Sequence, residues 1–260
     1  MGTARSEAAV ARLDKRRALV IGGHGGSRSL KTTEILDLGR ETCVPGPDLT
    51  LGIRSGAAAV ALDDKRIIVI GGSGLEGEHK TTEIFNPTSN DFSEGPEMEV
   101  ERDQVTAVKI DDRRILVIGG FNGRSLASME VLDIDSMKFS RGPTMGTARA
   151  GATAVKLADE RRVLVIGGRG RNEEGRYTNL KTTLYLDLER DRFSAGPCME
   201  VARFGAAAVQ IDESRVIVFG GNNGNDQAVS TSEILDLQAG TFSEGPRMGS
   251  QRVSAVAVAL

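Results

Sequence analysis

At 260 residues the chain is long enough to bury a sizeable interior, and its 33 basic and 36 acidic side chains, summing to a net charge of −3, are well mixed along it. No basic stripe or face of the kind that tracks nucleic acid is present, the N-terminus has no long apolar signal core, and no stretch approaches the roughly 20 apolar residues of a membrane span. Neither nucleic acid nor a membrane is an expected partner, and a cytoplasmic setting is expected.

The sequence then repeats itself. The pentapeptide Met1–Arg5 returns at Met145–Arg149, and a Gly-Gly pair closes an apolar run at Gly22, Gly71, Gly119, Gly167 and Gly220, at spacings of 49, 48, 48 and 53. A period of that size announces a repeat architecture before any single residue is interpreted. In each repeat a small alternating segment such as AAAVAL is followed by a compact polar turn such as LDDKR and then by a run such as RIIVIGG. The segment and the run read as the two strands of a hairpin closed by that turn, and the Val- and Ile-rich run reads as a strand buried on both faces. A variable loop leads to a third strand of the TTEILDL type. A fourth runs from Phe92, Phe139, Phe193 or Phe242 toward Gly-Pro and Met, and its proline, which has no N–H to donate, suits an outer edge strand.

Cys43 and Cys198 lie in different repeats at last-strand positions and are expected to be two buried free thiols rather than a disulfide. Four antiparallel strands with an apolar face on each side must stack on the next copy, and radial stacking gives a propeller. The small residues Ala58, Ala59, Ala107, Ala154, Ala207 and Ala208 place the first strand nearest the axis, and phenylalanine and proline place the fourth at the rim.

With the Gly-Gly closures, and the Arg, Glu and Gly-Pro-x-Met positions recurring around them, the sequence resembles the kelch-repeat β-propellers of the galactose oxidase/kelch type over essentially its whole length. It departs from that pattern in having phenylalanine or Cys43 where the family typically has tryptophan, and no Trp at all. The expected fold is all-β, a single propeller domain over 1–260. Its five four-stranded antiparallel repeats cover about 1–49, 50–98, 99–145, 146–199 and 200–248, and the first strand of a sixth lies in 249–260. Because Glu7–Leu13 and Ser254–Leu260 compete for one innermost position, the expectation is a piece of a six- or seven-bladed propeller rather than a closed ring of five.

Successive turns of a meander alternate between the ends of a sheet, so the loop carrying the periodic arginine and the loop after Gly-Gly share one face. That face gathers the variable residues, and binding concentrates where repeats differ. Arg5, Arg54, Arg102, Arg149, Arg203 and Arg252 keep the period, as do Glu34, Glu83, Glu130 and Glu233. Either the arginines pair with those glutamates inside the fold, or they ring a channel mouth for a carboxylate, phosphate or other small anionic ligand.

Repeat four breaks the pattern. Leu184 replaces the glutamate and the loop from Arg169 to Leu180 is about five residues longer than its counterparts. Arg149 is therefore expected to be free for a ligand, in a partner-binding patch with Arg169, Arg171, Arg176 and Tyr177. Phe121, Asn122, Arg124, Asn222 and Asn223 join it on the same face.

No catalytic residue is assigned. The tyrosines and histidines of a galactose-oxidase copper site are not assembled by Tyr177, Tyr185, His24 and His79, no Ser/His/Asp or Cys/His set is visible, and the Gly-rich loops lead into no helix. No cofactor or metal is expected. The resemblance implies a non-enzymatic scaffold that binds a protein partner, in a substrate-adaptor or cytoskeletal role. Its alternative is a binding protein or mutarotase-like enzyme for an acidic sugar.

Overall fold

The computed structural model describes residues 2–63, 65–172, 174–225 and 227–255. The fold is all-β, of the β-propeller class, with five four-stranded antiparallel blades and no helix among the described residues. Blade 1 contains β1 (Ala9–Arg12), β2 (Arg17–Ile21), β3 (Thr33–Asp37) and β4 (Thr42–Pro45). Blade 2 contains β5 (Ala58–Ala61), β6 (Ile67–Ile70), β9 (Thr82–Asn86) and β10 (Asp91–Glu94), with the ribbon β7 (Ser73–Gly74) and β8 (Gly77–Glu78) in its variable loop. Blade 3 is β11 (Thr106–Lys109), β12 (Arg114–Ile118), β13 (Met129–Asp133) and β14 (Lys138–Arg141). Blade 4 is β15 (Thr153–Lys156), β16 (Arg162–Ile166), β19 (Thr183–Asp187) and β20 (Arg192–Ala195), and its long loop forms the hairpin β17 (Arg169–Arg171) and β18 (Tyr177–Asn179). Blade 5 is β21 (Ala207–Asp212), β22 (Arg215–Phe219), β23 (Ser232–Asp236) and β24 (Thr241–Glu244).

By its internal contacts the chain divides into two compact units, one of residues 2–122 with 130–141 and the other of 123–129 with 142–255. The first holds blades 1 to 3, with β5 beside both β1 and β11, and the second holds blades 4 and 5, with β15 beside β21. First strands therefore meet first strands within each unit, as their alanines require.

The period of two in β6 does the stacking. Ile67 and Val69 pack with Leu19, Ile21 and Phe85, whereas Ile68 and Ile70 pack with Ile115, Val117 and Leu132 of the next blade. In the second unit Leu164 and Ile166 meet Val216, Val218 and Leu235. Each such side chain removed from water contributes about 1.5–3 kcal/mol.

The polar turns are built alike. Asp14, Asp63, Asp111, Asp159 and Asp212 each accept backbone N–H groups of the following turn and an ion pair from the arginine three residues on, Arg17, Arg66, Arg114, Arg162 or Arg215. This closes the hairpin and holds each of these carboxyls below its usual range: for Asp14 the Arg16 amide is the largest cause, for Asp212 the Arg215 side chain, and at Asp63, Asp111 and Asp159 burial raises the carboxyl but the turn amides and the arginine outweigh it.

Two expectations are corrected. The fourth strands end before Gly-Pro instead of running through it. At that point the Thr33, Thr82, Thr183 and Ser232 hydroxyls donate to the carbonyls of Pro47, Pro96, Pro197 and Pro246. A Cβ on Gly95 would stand 2.3 Å from the Thr82 hydroxyl oxygen, which is why glycine precedes the proline. The cysteines are free, but Cys198 is exposed and Cys43 only half-buried, because Cys198 lies past the end of β20. From residue 256 on, the expected sixth-repeat strand lies outside the described residues, and so does Glu173 of the long loop.

Candidate functional site

One end of every blade is built by the same pairing. The residue after each arginine bridges to the residue after Gly-Gly, as in Ser6 with His24, Ser55 with Ser73, Asp103 with Phe121, Ala150 with Arg169 and Phe204 with Asn222. The arginine loop and the variable loop therefore share one face. The Gly-Gly pair makes that contact close: Gly71 has φ +65°, and a Cβ there would stand 2.4 Å from the Arg102 carbonyl oxygen of the next blade. Gly72 donates its N–H to that same oxygen at 2.8 Å.

Four of the periodic arginines are structural. Arg5, Arg54, Arg102 and Arg203 pair with Glu34, Glu83, Glu130 and Glu233, with guanidinium groups no more than 1% exposed. Each also donates to the carbonyl of its own blade's first Gly-Gly glycine. The glutamates accept two consecutive backbone N–H groups from the loop ahead of the arginine, such as Glu99 and Val100 on Glu130. Burial raises the Glu34 carboxyl, but the Cys43 thiol, the Gly2 and Thr3 amides and Arg5 outweigh it and bring it down to about 2. The ring of arginines at a channel mouth is thereby corrected, since these side chains are already spent on their own blades.

Arg149 needs the same correction. It has no glutamate, as Leu184 requires, yet it is not free on the face: it is 1% exposed. Its guanidinium donates to the Gly167 and Thr182 carbonyls and to the Thr182 hydroxyl, while Nε has no partner. The arginine stays inside because its position is set by the backbone carbonyls around Gly167, not by the glutamate. Burial pulls its pKa down to about 10, with the charge of Cys198 opposing.

The rest of the expected patch divides. In the second unit the hairpin β17–β18 stands on the variable face, with the Arg169 guanidinium over the Tyr177 ring at 5.3 Å. Tyr177 donates its hydroxyl to Ser125 at 2.8 Å, and Ser125 donates to the Arg169 carbonyl at 2.7 Å. Asn179, buried, donates its amide to the carbonyls of Asn222 and Asn223 at 3.1 and 2.6 Å and so joins the loops of blades 4 and 5. Arg169 Nε, Asn179 Oδ1 and Asn222 Oδ1 are buried without partners, one donor beside two acceptors. Arg171 and Arg176 are exposed at the hairpin tip, bonded to the Gly175 carbonyl and Glu174 respectively, and Arg124 is exposed in the loop that holds Ser125. Ser125 and Asn179 escaped sequence reasoning; an asparagine in a strand, where it is disfavoured, was the available signal for the second.

In the first unit, Phe121 is bridged to Asp103, and Asn122 donates to Glu101 at 3.4 Å. Beside them runs a polar track: His24 to Ser29, Ser29 to Ser55 and Ser55 to Ser73, at 3.4–3.5 Å, with Ser73 bonding Asp103. Burial pushes the Asp103 carboxyl up to about 6; Glu7 and Glu78 add to this, and the Gln104 amide and Ser73 oppose it.

A family model described as the Kelch motif matches residues 53–99 and 107–146, the segments that form blades 2 and 3. The two matched segments and the five four-stranded blades support a kelch-repeat propeller. No curated protein matches it. In this kelch protein the motif's arginine, glutamate and Gly-Gly positions are the joints between and within blades, and the variation falls on the loops above them. Among the described residues, no group of three or more His, Cys, Asp or Glu side chains could hold a metal ion, and no helix is long and apolar enough to cross a membrane.

Proposed function

We propose that this kelch protein is a non-enzymatic, cytoplasmic scaffold that binds a protein partner through the variable loop face of blades 4 and 5. The observation that carries the reading is the set of three orphaned buried atoms, Arg169 Nε, Asn179 Oδ1 and Asn222 Oδ1, beside the exposed ring of Tyr177. A peptide backbone offers both a donor and an acceptor, so a chain that draws these loops apart as it docks gives partners to groups that otherwise carry a desolvation cost of about 1–3 kcal/mol each. Tyr177 is an amphipathic ring of the type that anchors interfaces, held in place by Ser125 and Arg169. A substrate-adaptor or cytoskeletal role is the kelch-like use of such a face. The acidic-sugar reading is the less favoured, since Arg54, Arg102 and Arg203, among the arginines it requires, are buried in ion pairs.

The test is a displayed random-peptide library panned on the purified protein. Binders are expected to lose about tenfold or more in affinity with Tyr177→Ala or Asn222→Ala, as for about 1.4 kcal/mol. They should keep it with Arg190→Ala, in the turn after β19 at the opposite end of the blade. Selection of binders that depend on Arg190 and ignore Tyr177, or stabilisation by uronic or sialic acids with no peptide selected, would overturn the proposal.

A further inference from the structure

In four blades a single carboxylate collects the same three donors: two consecutive backbone N–H groups of the preceding loop and the arginine Nε. Glu34 takes Gly2, Thr3 and Arg5, and Glu83 takes Thr50, Leu51 and Arg54. Glu130 takes Glu99, Val100 and Arg102, and Glu233 takes Glu200, Val201 and Arg203. Blade 4 keeps the donors and lacks the acceptor. Gly146 and Thr147 occupy the amide positions, Arg149 the guanidinium position and Leu184 the glutamate position, and neither the two amides nor Arg149 Nε has a hydrogen-bond partner among the described residues.

We propose that this vacated position in blade 4 is a binding site for a carboxylate that the chain itself does not supply. In the four other blades two N–H groups and a guanidinium converge on one carboxylate, charge-assisted donors suited to a planar, two-oxygen acceptor, and blade 4 carries the same donor positions. A tetrahedral oxyanion has no such precedent in the fold. The guanidinium is held for the ligand in advance by its bonds to Gly167 and Thr182, so no reorganisation of the arginine is needed. Gly146 is exposed, and even an added Cβ there would meet nothing within 4 Å, so a ligand reaches the site from the amide side; Arg149 Nε is sealed and becomes accessible only as the Leu184 side chain gives way. Leu184 is only half-buried, and its side chain ends at Cδ, one bond short of where glutamate oxygens would lie. The carboxylate has two sources, a small monocarboxylate or the acidic side chain of another protein. The site stands whether or not the hairpin face binds a partner.

The experiment follows the backbone amides of Gly146 and Thr147 by nitrogen-15 NMR on the full chain at constant ionic strength. Acetate, N-acetylglutamate amide and sulfate are titrated separately. Saturable downfield shifts of both amides with a carboxylate but not with sulfate are expected. Saturation by acetate alone assigns the small ligand, and saturation by the blocked glutamate, with or without acetate, assigns an acidic side chain. Leu184→Glu, which restores the internal acceptor, is expected to raise the melting temperature and abolish the titration. Amides that do not move with any carboxylate, that respond equally to sulfate, or that still titrate in a folded Leu184→Glu protein would overturn the proposal; should that variant not fold, the comparison of carboxylate with sulfate in the unaltered chain decides alone.

Discussion

Arg54 Nε donates to Glu83 Oε1 at 3.0 Å with both side chains sealed from solvent, while the carbonyl of the same arginine accepts the N–H of Gly23 from the blade before. One residue thus ties its own third strand to its own second strand through its side chain, and its blade to the previous one through its main chain. The arrangement explains why Arg, Glu and Gly-Gly recur as a set: removing any one of them strands a partner in a dry place.

Glu83→Ala is accordingly expected to lower the unfolding free energy by about 3–5 kcal/mol, as for breaking a buried pair and leaving its cation uncompensated. It also leaves the Thr50 and Leu51 amides without their acceptor. Urea denaturation of the variant beside the parent measures the loss; a change below about 1 kcal/mol would mean the pair is dispensable.

Arg149 and Arg102 should separate under the same substitution. Arg102→Met leaves Glu130 buried and unpaired, whereas Arg149→Met removes a cation that faces no carboxylate. Both lose bonds to backbone carbonyls, so both destabilise, and the Arg102 variant is expected to be the less stable by roughly 1–3 kcal/mol. Equal losses in parallel denaturation curves would show that the glutamate adds nothing.

Gly71→Ala and Gly240→Ala test the close approach of blades. Both glycines have positive φ, +65° and +67°, but only Gly71 has a neighbouring backbone oxygen within 2.4 Å of the added carbon, and Gly240 has nothing within 4 Å. The Gly240 variant should cost about 1 kcal/mol from backbone conformation alone. The Gly71 variant should cost several times that or fail to fold, and thermal melts of the two decide it.

Asp103 sets a pH dependence of opposite sign to that of a paired carboxylate. Its pKa in the fold is raised to about 6 from 3.8, chiefly by burial, so the folded state holds its proton more tightly than the unfolded chain does. The stability this gives is complete below about pH 4 and is lost as pH rises through about 6. Asp103→Asn should remove that slope and gain on the order of 1–3 kcal/mol at pH 7.5. Glu34 works the other way: its pKa is depressed to about 2 from 4.5, so its contribution is present above about pH 4.5 and lost as pH falls through about 2. A variant with an unchanged stability profile between pH 4 and 8 would remove Asp103 from this account.

The repeat, the four strands of each blade, the shared face of the arginine and Gly-Gly loops and the pairing of Arg with Glu were all legible in the sequence by itself. Each is a local pattern copied several times, and a physical requirement that recurs at a fixed period leaves its residues at that period. The anomaly of blade 4 was legible too, as Leu184 in place of a glutamate. Only the tertiary structure decided what the anomaly does. Arg149 stays buried because the carbonyls of Gly167 and Thr182, invisible as residue types, hold its guanidinium whether or not a carboxylate is present. Ser125 under Tyr177, and Asn179 across to Asn222 and Asn223, join residues some 43 to 52 positions apart. Among the described residues such contacts occur once rather than five times, so no period marks them, and only the packing of neighbouring loops brings their atoms within reach.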